Sequence, residues 1–128
     1  MSSILGDSTG EYASSWISLN VSRGHWTSET FGDYLRLHAS KRPTEIALVE
    51  DDRAVSWANF LGEVERVSSG LAALEIGPGD AIAIQLTNSI ELAISILATW
   101  EIGAVYQPLN PVYRKLECSA LIDAVEPK

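Results

Sequence analysis

The side chains that could serve as a nucleophile or a base are few and far apart in the sequence. The one cysteine is Cys118, beside Ser119, and the two histidines are His25 and His38. A serine or cysteine nucleophile needs a base within hydrogen-bonding reach, and neither histidine is near residues 118–119 in the chain. His38 falls on the apolar face of a predicted helix with no second ligand at metal-binding spacing, which is typical of a half-buried, hydrogen-bonded histidine. Cys118 is better explained as a small helical residue than as a reactive thiol.

Three consecutive acids, Glu50, Asp51 and Asp52, form the densest group of possible metal ligands. They lie between two short apolar runs, at the tip of a predicted hairpin, and no further acids follow at the spacing of a calcium loop. Acids in such a turn are usually solvated. We therefore predict no metal ligand here.

The glycine-rich stretch Gly77-Pro78-Gly79-Asp80 is the one place that resembles a phosphate loop in composition. A phosphate loop runs from a strand through glycines into a helix N-terminus that points at the phosphate. Here the predicted order is helix, glycines, strand, so we expect an ordinary turn. The sequence thus predicts no catalytic, cofactor-binding or metal-binding residue in this chain.

The composition of the chain favours a soluble domain over a nucleic-acid-binding, secreted or membrane-spanning protein. The chain has 128 residues, 46% of them hydrophobic, and a formal charge of −8, which predicts one soluble domain that does not bind nucleic acid or an anionic membrane surface. One cysteine cannot form an internal disulfide, and no secretion signal is recognisable. The longest apolar segment, 90–100, is shorter than the roughly 20 residues of a membrane span. We expect a cytoplasmic protein.

The stretch 80–111 is the predicted centre of the fold. Two apolar strands, 81–86 and 104–107, flank a helix over 89–102, and this order predicts a buried parallel crossover unit. Asn88 is the expected N-cap of the helix, with Glu91 reaching back to it, and Gly103 is expected in the left-handed region at its C-terminus.

The other elements are predicted to surround that unit. Residues 1–26 form an N-terminal arm, mobile over about the first ten residues and anchored by Trp16 and Trp26. The next elements are a helix capped at Thr30, which ends at Lys41-Arg42-Pro43, and a hairpin of 46–50 and 54–57. A second helix runs from its cap at Ser56 to Leu74 and is expected to face a sheet. The last element is a helix over Lys115–Val125, whose apolar side is formed by Leu116, Ala120, Leu121, Ala124 and Val125.

This pattern predicts an α/β fold in which a short antiparallel hairpin and a parallel strand-helix-strand unit are flanked by helices. Because the alternating order of strands and helices stops after a helix, the sheet lacks its expected next strand. We therefore predict that 27–128 is an incomplete N-terminal α/β domain of a longer protein.

The order of these segments resembles the N-terminal portion of the AMP-forming acyl-adenylating enzymes, which include acyl-CoA synthetases, aryl-acid ligases, peptide-synthetase adenylation domains and luciferases. The stretch IGPGDAIAIQLTNSIELAISILATWEIGAVYQPLNP (76–111) carries most of the likeness. TFGDYLRLHASKRPTEIALVED (30–51), VSWANFLGEVERVSSGLAAL (55–74) and YRKLE (113–117) are similar to neighbouring family segments. Thr87, where proline is commoner, and Glu101-Ile102, where lysine-alanine is commoner, depart from the pattern.

The resemblance implies a ligase that uses ATP and magnesium to convert a carboxylic acid to an acyl-adenylate and then transfers the acyl group to a thiol. The leader VSRGHWTSET (21–30) resembles that of aryl-acid and alicyclic-acid ligases, and PLNPVYR (108–114) resembles that of CoA ligases rather than peptide synthetases. Together they imply a CoA ligase for an aromatic, alicyclic or medium-chain acid. CoA is then the thiol, and the enzyme is a possible homodimer. The family's phosphate loop, magnesium-binding motif and catalytic lysine are not among these residues, so the chain alone is expected to be inactive. Two alternatives stay open: a stand-alone, non-catalytic interaction domain, and an aryl-acid adenylating enzyme that loads a carrier protein.

Overall fold

A computed structural model describes residues 14–128 and has the predicted α/β architecture. The elements in chain order are α1 (Ser14–Ser22), α2 (Phe31–Lys41), β1 (Ile46–Glu50), β2 (Arg53–Ser56), α3 (Trp57–Ala73), β3 (Ala81–Ile84), α4 (Ile90–Glu101), β4 (Val105–Pro108) and α5 (Lys115–Val125). β1 and β2 form an antiparallel hairpin, and β3 pairs with β4 in parallel. The predicted hairpin and strand-helix-strand unit are thus both confirmed.

The core lies where α3 crosses α4. Phe60 and Val64 of α3 pack with Ile90 and Ile94 of α4, and Leu35 of α2 closes one side. The apolar side chains of α3 recur every three or four residues, so they form one stripe that meets this core. The stripe packs on α4 and α2 and also on the hairpin, which is the sheet that α3 was expected to face.

The N-caps of α2 and α3 show that local sequence signals determine where these helices begin. Thr30 accepts a hydrogen bond from Asp33 N–H, and the Asp33 carboxylate accepts one from Thr30 N–H, as the sequence predicts. Ser56 caps α3, also as predicted, by accepting from Asn59 N–H at 3.3 Å. These side chains satisfy amides that have no partner inside the helix.

The predicted cap of α4 was wrong by one residue. Ser89, not Asn88, has the extended backbone of an N-cap, and its Oγ accepts from Leu92 N–H at 3.1 Å. Serine and asparagine are both good N-cap residues, so the Ser89 hydroxyl can cap the helix in place of the Asn88 side chain. Glu91 therefore lies in the first turn and does not close a capping box. At the other end Gly103 has φ = +73°, as predicted.

The parallel strands are less buried and slightly displaced from their prediction. β3 ends at Ile84 rather than at residue 86, and β4 runs over Val105–Pro108 rather than 104–107. β3 is half-buried throughout, and Val105 is 51% exposed. Apolar runs reveal strands that can be buried on both faces, but a two-stranded sheet leaves part of those faces uncovered. The peptide bonds before Pro108 and Pro111 are trans.

The N-terminal arm contains a helix that the sequence did not predict. α1 covers Ser14–Ser22 and has no buried residue. The ring of Trp16, within α1, packs against the ring of Trp26, with the centroids 4.9 Å apart and the rings nearly perpendicular. The serine-rich sequence of α1 has almost no helical amphipathicity, so its pattern gives no signal. The predicted mobile tail over the first ten residues lies outside the described residues.

α5 has the predicted bounds, but its apolar side is exposed. Leu116 is 82% exposed and Val125 42% exposed, and no residue of α5 is buried. Cys118 and Ser119 are its less exposed positions. The predicted stripe is therefore largely exposed.

Candidate functional site

The carboxyl edge of the β3–β4 pair is the part of this fold where a ligand site is expected. In parallel α/β sheets, ligands bind in the crevice beyond the carboxyl ends of the strands. Both strands end at this edge, and an open groove of about 550 Å³ lies beyond them. Its walls include Leu86, Leu92, Tyr106, Pro108, Leu121 and Asn110. The lining mixes apolar side chains with the polar groups of asparagines and tyrosines, and it contains no charged side chain.

Two glutamines that the sequence analysis missed organise this edge. Gln85 Nε2 donates to Asn110 O and Tyr113 O, both at 3.0 Å, and so holds the loop that follows β4. Gln107 Nε2 donates to Leu121 O at 2.9 Å, which attaches α5 to β4. Gln107 Oε1 is buried and has no hydrogen-bond partner among the described residues. A polar amide at the end of an apolar strand is the signal that could have identified both residues.

The structure does not assemble a nucleophile and a base from the residues weighed in the sequence. The Cys118 thiol lies 3.7 Å from Gln85 Nε2, on the strand side of α5. His38 lies on α2, where its Nδ1 is 3.0 Å from the Arg42 guanidinium and its ring is 4.7 Å from that of Trp57. The expected half-buried, hydrogen-bonded histidine is therefore what the structure has at position 38.

The acidic hairpin tip contacts an arginine and the N-terminus of α4. Glu50 Oε2 accepts from Ile90 N–H at 3.1 Å, at the start of α4. Arg53 bridges Glu50, at 3.3 Å, and Glu91, at 2.6 Å. The hydrogen bond with Glu91 raises the pKa of Arg53 and lowers that of Glu91. Within residues 14–128, no three His, Cys, Asp or Glu side chains are arranged to hold a metal ion.

The glycine-proline turn has its amides occupied. Gly77 N–H donates to the Asp80 carboxylate at 2.9 Å, and Gly79 N–H donates to Gly103 O at 3.2 Å. Gly103 is also held close to Pro78, because a Cβ on it would lie 3.3 Å from Pro78 Cγ. A phosphate needs unoccupied N–H donors, whereas this turn presents a carboxylate. The predicted turn is what the structure shows here.

A second groove, between α3 and α4, has no excess of positive charge. It measures about 600 Å³, and its charged lining residues are Arg53, Arg66, Glu63 and Glu91. Each arginine is paired, Arg53 with Glu91 and Arg66 with Glu63. Positive potential that would attract a nucleotide is therefore cancelled locally. The described residues do not fit the triphosphate or magnesium ion that the family resemblance implies.

The part of the chain that the structure describes contains no helix long and apolar enough to cross a membrane.

Comparison with curated proteins finds relatives that include a synthase, an AMP ligase and a CoA ligase. The chain is 26% identical over 122 residues to pyochelin synthase PchD of Pseudomonas aeruginosa, covering 95% of this chain and 22% of the relative. It is 32% identical to the vibriobactin-specific 2,3-dihydroxybenzoate-AMP ligase of Vibrio cholerae, over 59% of this chain and 14% of the relative. It is 27% identical to the 2-hydroxy-7-methoxy-5-methyl-1-naphthoate–CoA ligase of Streptomyces carzinostaticus, over 77% of this chain and 18% of the relative.

The solved structures include the apo form of MbtA from Mycobacterium smegmatis. It superposes with a TM-score of 0.82 at 25% identity, over 91% of this chain and 22% of that one. The chain therefore spans about a fifth of the length of these proteins. The model of the AMP-binding enzyme family matches residues 35–128, which contain β1–β4 and the core helices α3 and α4. This chain belongs to the AMP-binding enzyme family.

Proposed function

We propose that the chain is the N-terminal scaffold of a longer adenylate-forming ligase. In the reaction of that ligase, a carboxylate oxygen attacks the α-phosphorus of ATP, pyrophosphate leaves, and a thiol then displaces AMP from the acyl-adenylate. The family match over 35–128 carries this proposal. The chain's share of its relatives' length, 22% for PchD, supports the inference that it works as part of a longer protein.

The acid that we propose is aromatic. The sequence analysis left aromatic, alicyclic and medium-chain acids open. Two relatives are named for an aromatic acid, dihydroxybenzoate in one and a substituted naphthoate in the other. These names support the aromatic class.

The thiol that we now favour is that of a carrier protein. The sequence analysis favoured CoA. However, the AMP ligase for dihydroxybenzoate has the higher identity, 32% against 27% for the CoA ligase, although over a shorter stretch. CoA remains the second candidate, favoured by the naphthoate relative, which aligns with 77% of this chain.

Residues 14–128 contribute position rather than chemistry in this proposal. Glu50 accepts from the first amide of α4, Glu91 pairs with Arg53, and the Gly77 amide of the glycine-proline turn is occupied by Asp80. The groups that bind ATP and magnesium are then supplied by the remainder of the enzyme. We place the ligase in the cytoplasm, where ATP and reduced thiols are available.

The test is adenylate formation by the longer protein that contains this chain. The protein is mixed with ATP, magnesium and one acid at a time: 2,3-dihydroxybenzoate, salicylate, benzoate, cyclohexanecarboxylate or octanoate. Hydroxylamine then traps any acyl-adenylate as a hydroxamate. We expect hydroxamate with at least one aromatic acid. Trapping with only the alicyclic or aliphatic acid would contradict the proposed substrate class, and trapping with none would contradict the proposed reaction.

The acceptor is decided in the same preparation. CoA, or a carrier protein bearing phosphopantetheine, is added to the acyl-adenylate, and thioester formation is measured by mass spectrometry. We expect the thioester on the carrier protein, with the apo carrier as the matched control. Thioester on CoA alone would select the second candidate.

A further inference from the structure

Two neighbouring cations, Arg114 and Lys115, follow the loop at the carboxyl edge of the parallel strand pair. They come directly after Tyr113, which lines the groove at that edge and whose carbonyl accepts from Gln85 Nε2 at 3.0 Å. Both cations are exposed, and the lining of the groove itself contains no charged side chain. This basic pair therefore places two positive charges beside the edge where ligands bind in parallel sheets.

Neither cation of the basic pair forms an ion pair with a carboxylate within residues 14–128. The arginines of the hairpin and of α2 and α3, with the one that follows α2, are each paired with an acid: Arg36, Arg42, Arg53 and Arg66. The acid nearest to the basic pair in sequence is Glu117, and its carboxylate accepts from the Arg114 backbone N–H at 3.1 Å. The two charged side-chain ends are therefore available to an anion from outside the described residues.

The basic pair does not stabilise α5. It lies at the N-terminal end of that helix, where the helix dipole is positive, so two cations there lower the stability of the helix. The first turns of α2 and α4 carry the opposite charge, Asp33 and Glu91. A local arrangement that works against the fold is expected where a ligand needs it. The pair is therefore better explained by binding of an anion than by a role in folding.

The backbone that carries the basic pair is ordered by its own contacts. Gln85 Nε2 also donates to Asn110 O at 3.0 Å, and Tyr113 N–H donates to the same carbonyl at 2.9 Å. Cys118 N–H donates to Arg114 O at 3.0 Å, within the first turn of α5. Because this backbone is already held, binding of an anion does not have to order the loop, and less conformational entropy is lost.

The chemistry of this edge favours a metal-free phosphate over a magnesium triphosphate. Magnesium is usually held by one or two carboxylates together with the phosphates, whereas the described residues contain no group of three His, Cys, Asp or Glu that could hold a metal ion. A single phosphate needs only cations and N–H donors, which an arginine and a lysine supply. In the proposed reaction the thiol substrate carries such a group, because the pantetheine arm ends in a phosphate both on a carrier protein and in CoA.

We propose that Arg114 and Lys115 bind the phosphate at the end of the pantetheine arm of the thiol substrate. The inference rests on the proposed function, and it applies to a carrier protein and to CoA because both carry this phosphate. The Arg114 guanidinium donates hydrogen bonds to the phosphate oxygens, and the Lys115 ammonium adds a second positive charge. Neither side chain takes part in formation of the acyl-adenylate.

The test compares two free thiols that differ by one phosphate, 4′-phosphopantetheine and pantetheine, as acceptors for the longer enzyme that contains this chain. The variants are Arg114→Gln, Lys115→Gln and the two combined, with Arg114→Lys as the variant that keeps the charge. Lys41→Gln, at the end of α2, is the matched control for loss of one exposed positive charge. Thioester formation is followed by mass spectrometry, with the acid and ATP saturating.

We expect the double variant to raise KM for 4′-phosphopantetheine about tenfold and to leave kcat and the KM for pantetheine unchanged. Arg114→Lys should keep most of the wild-type affinity, and Lys41→Gln should keep all of it. Added salt should raise the wild-type KM for the phosphorylated thiol more than that of the double variant, because salt screens the attraction that the variant has lost. The same measurement with holo carrier protein and with CoA identifies the source of the phosphate as the acceptor whose KM rises.

Three results would overturn the proposal. An equal rise in KM for both free thiols would give the basic pair a structural role. A rise in KM for ATP alone would assign the pair to the nucleotide. An unchanged KM for every phosphorylated acceptor would exclude contact with the phosphate. Hydroxamate trapping in each variant reports acyl-adenylate formation separately, so the proposed function can hold while this inference fails.

Discussion

At the residue scale, Glu50 shows how a cluster of acids acts in the fold. Its carboxylate accepts from Ile90 N–H and from Arg53, and so it joins the hairpin to the start of α4. Removing it leaves a helix-start amide without this partner and an arginine without one of its acids. We therefore expect Glu50→Ala to lower the free energy of unfolding by about 1 kcal/mol. Urea denaturation checks this.

The matched variants for Glu50 separate the hydrogen bond from the charge. Glu50→Gln keeps an acceptor for Ile90 N–H, so it should lose less than Glu50→Ala. Asp52→Ala, at the exposed hairpin tip, should change the free energy of unfolding by less than about 0.5 kcal/mol. Equal losses for Glu50→Ala and Asp52→Ala would contradict the capping role.

The lowered pKa of Asp80 predicts that the free energy of unfolding depends on pH. The hydrogen bond from Gly77 N–H, and then the one from Lys128, lower its pKa below the ordinary value. A carboxyl group whose pKa is lower in the folded state stabilises the fold above the pKa of the unfolded chain, about 3.9. That contribution disappears as the pH falls through the folded pKa.

Asp80→Asn tests this linkage because the amide oxygen can still accept from Gly77 N–H. We expect the loss of stability between about pH 5 and pH 2 to be smaller in Asp80→Asn than in the wild type. Lys128→Gln removes the weaker cause and should give an intermediate change. Urea denaturation at each pH measures both, and identical acid slopes for all three proteins would refute the assignment.

At the element scale, the start of α4 is the point where sequence and structure differ by one residue. Ser89 Oγ is bonded to Leu92 N–H. Ser89→Ala should therefore lower the free energy of unfolding by about 1 kcal/mol. Asn88→Ala, its control, should stay within about 0.5 kcal/mol. Thermal or urea unfolding distinguishes the two, and the reverse order would restore Asn88 as the cap.

Two glycines in different settings should respond to alanine with opposite signs. Gly103 has φ = +73°, and a Cβ there would lie 3.3 Å from Pro78 Cγ, so Gly103→Ala should destabilise by about 1–2 kcal/mol. Gly62 lies inside α3 with open space around its Cα, so Gly62→Ala should stabilise by about 0.5–1 kcal/mol. Loss of stability in Gly62→Ala would show a contact that the structure does not contain.

The sequence predicted elements whose signals are local and missed features that depend on packing. Thr30, Ser56 and Gly103 carry cap chemistry in their own side chains or backbone, and all three were placed correctly. Burial of β3 and β4 depends on what covers them, which an apolar run does not specify. The role of Gln85 likewise depends on Tyr113, which is distant in sequence.

At the scale of the whole molecule, apolar surface is exposed on several sides of the described chain. Phe31 stacks on Trp100 at 5.0 Å, yet the two side chains are 66% and 43% exposed. Leu116 of α5 is more exposed still, at 82%. In the longer enzyme that we propose, these surfaces are where further segments pack.

The family could be predicted from sequence because its signature lies in turns and strand ends, such as residues 76–80 and 108–111, whose backbone demands particular residue types. The acid and its acceptor could not, because the motifs at residues 76–80 and 108–111 shape turns and strand ends and do not specify a substrate. The prediction that this chain has no catalytic residue stays a prediction.

The exchange of labelled pyrophosphate into ATP tests the central claim most directly. It is measured in the presence of an aromatic acid, in parallel, for this 128-residue chain and for the longer protein that contains it. We expect acid-dependent exchange by the longer protein and none by the chain alone, because the residues described here hold the fold and do not bind the triphosphate. Exchange by the 128-residue chain, or its absence from the longer protein with every acid, would contradict the account.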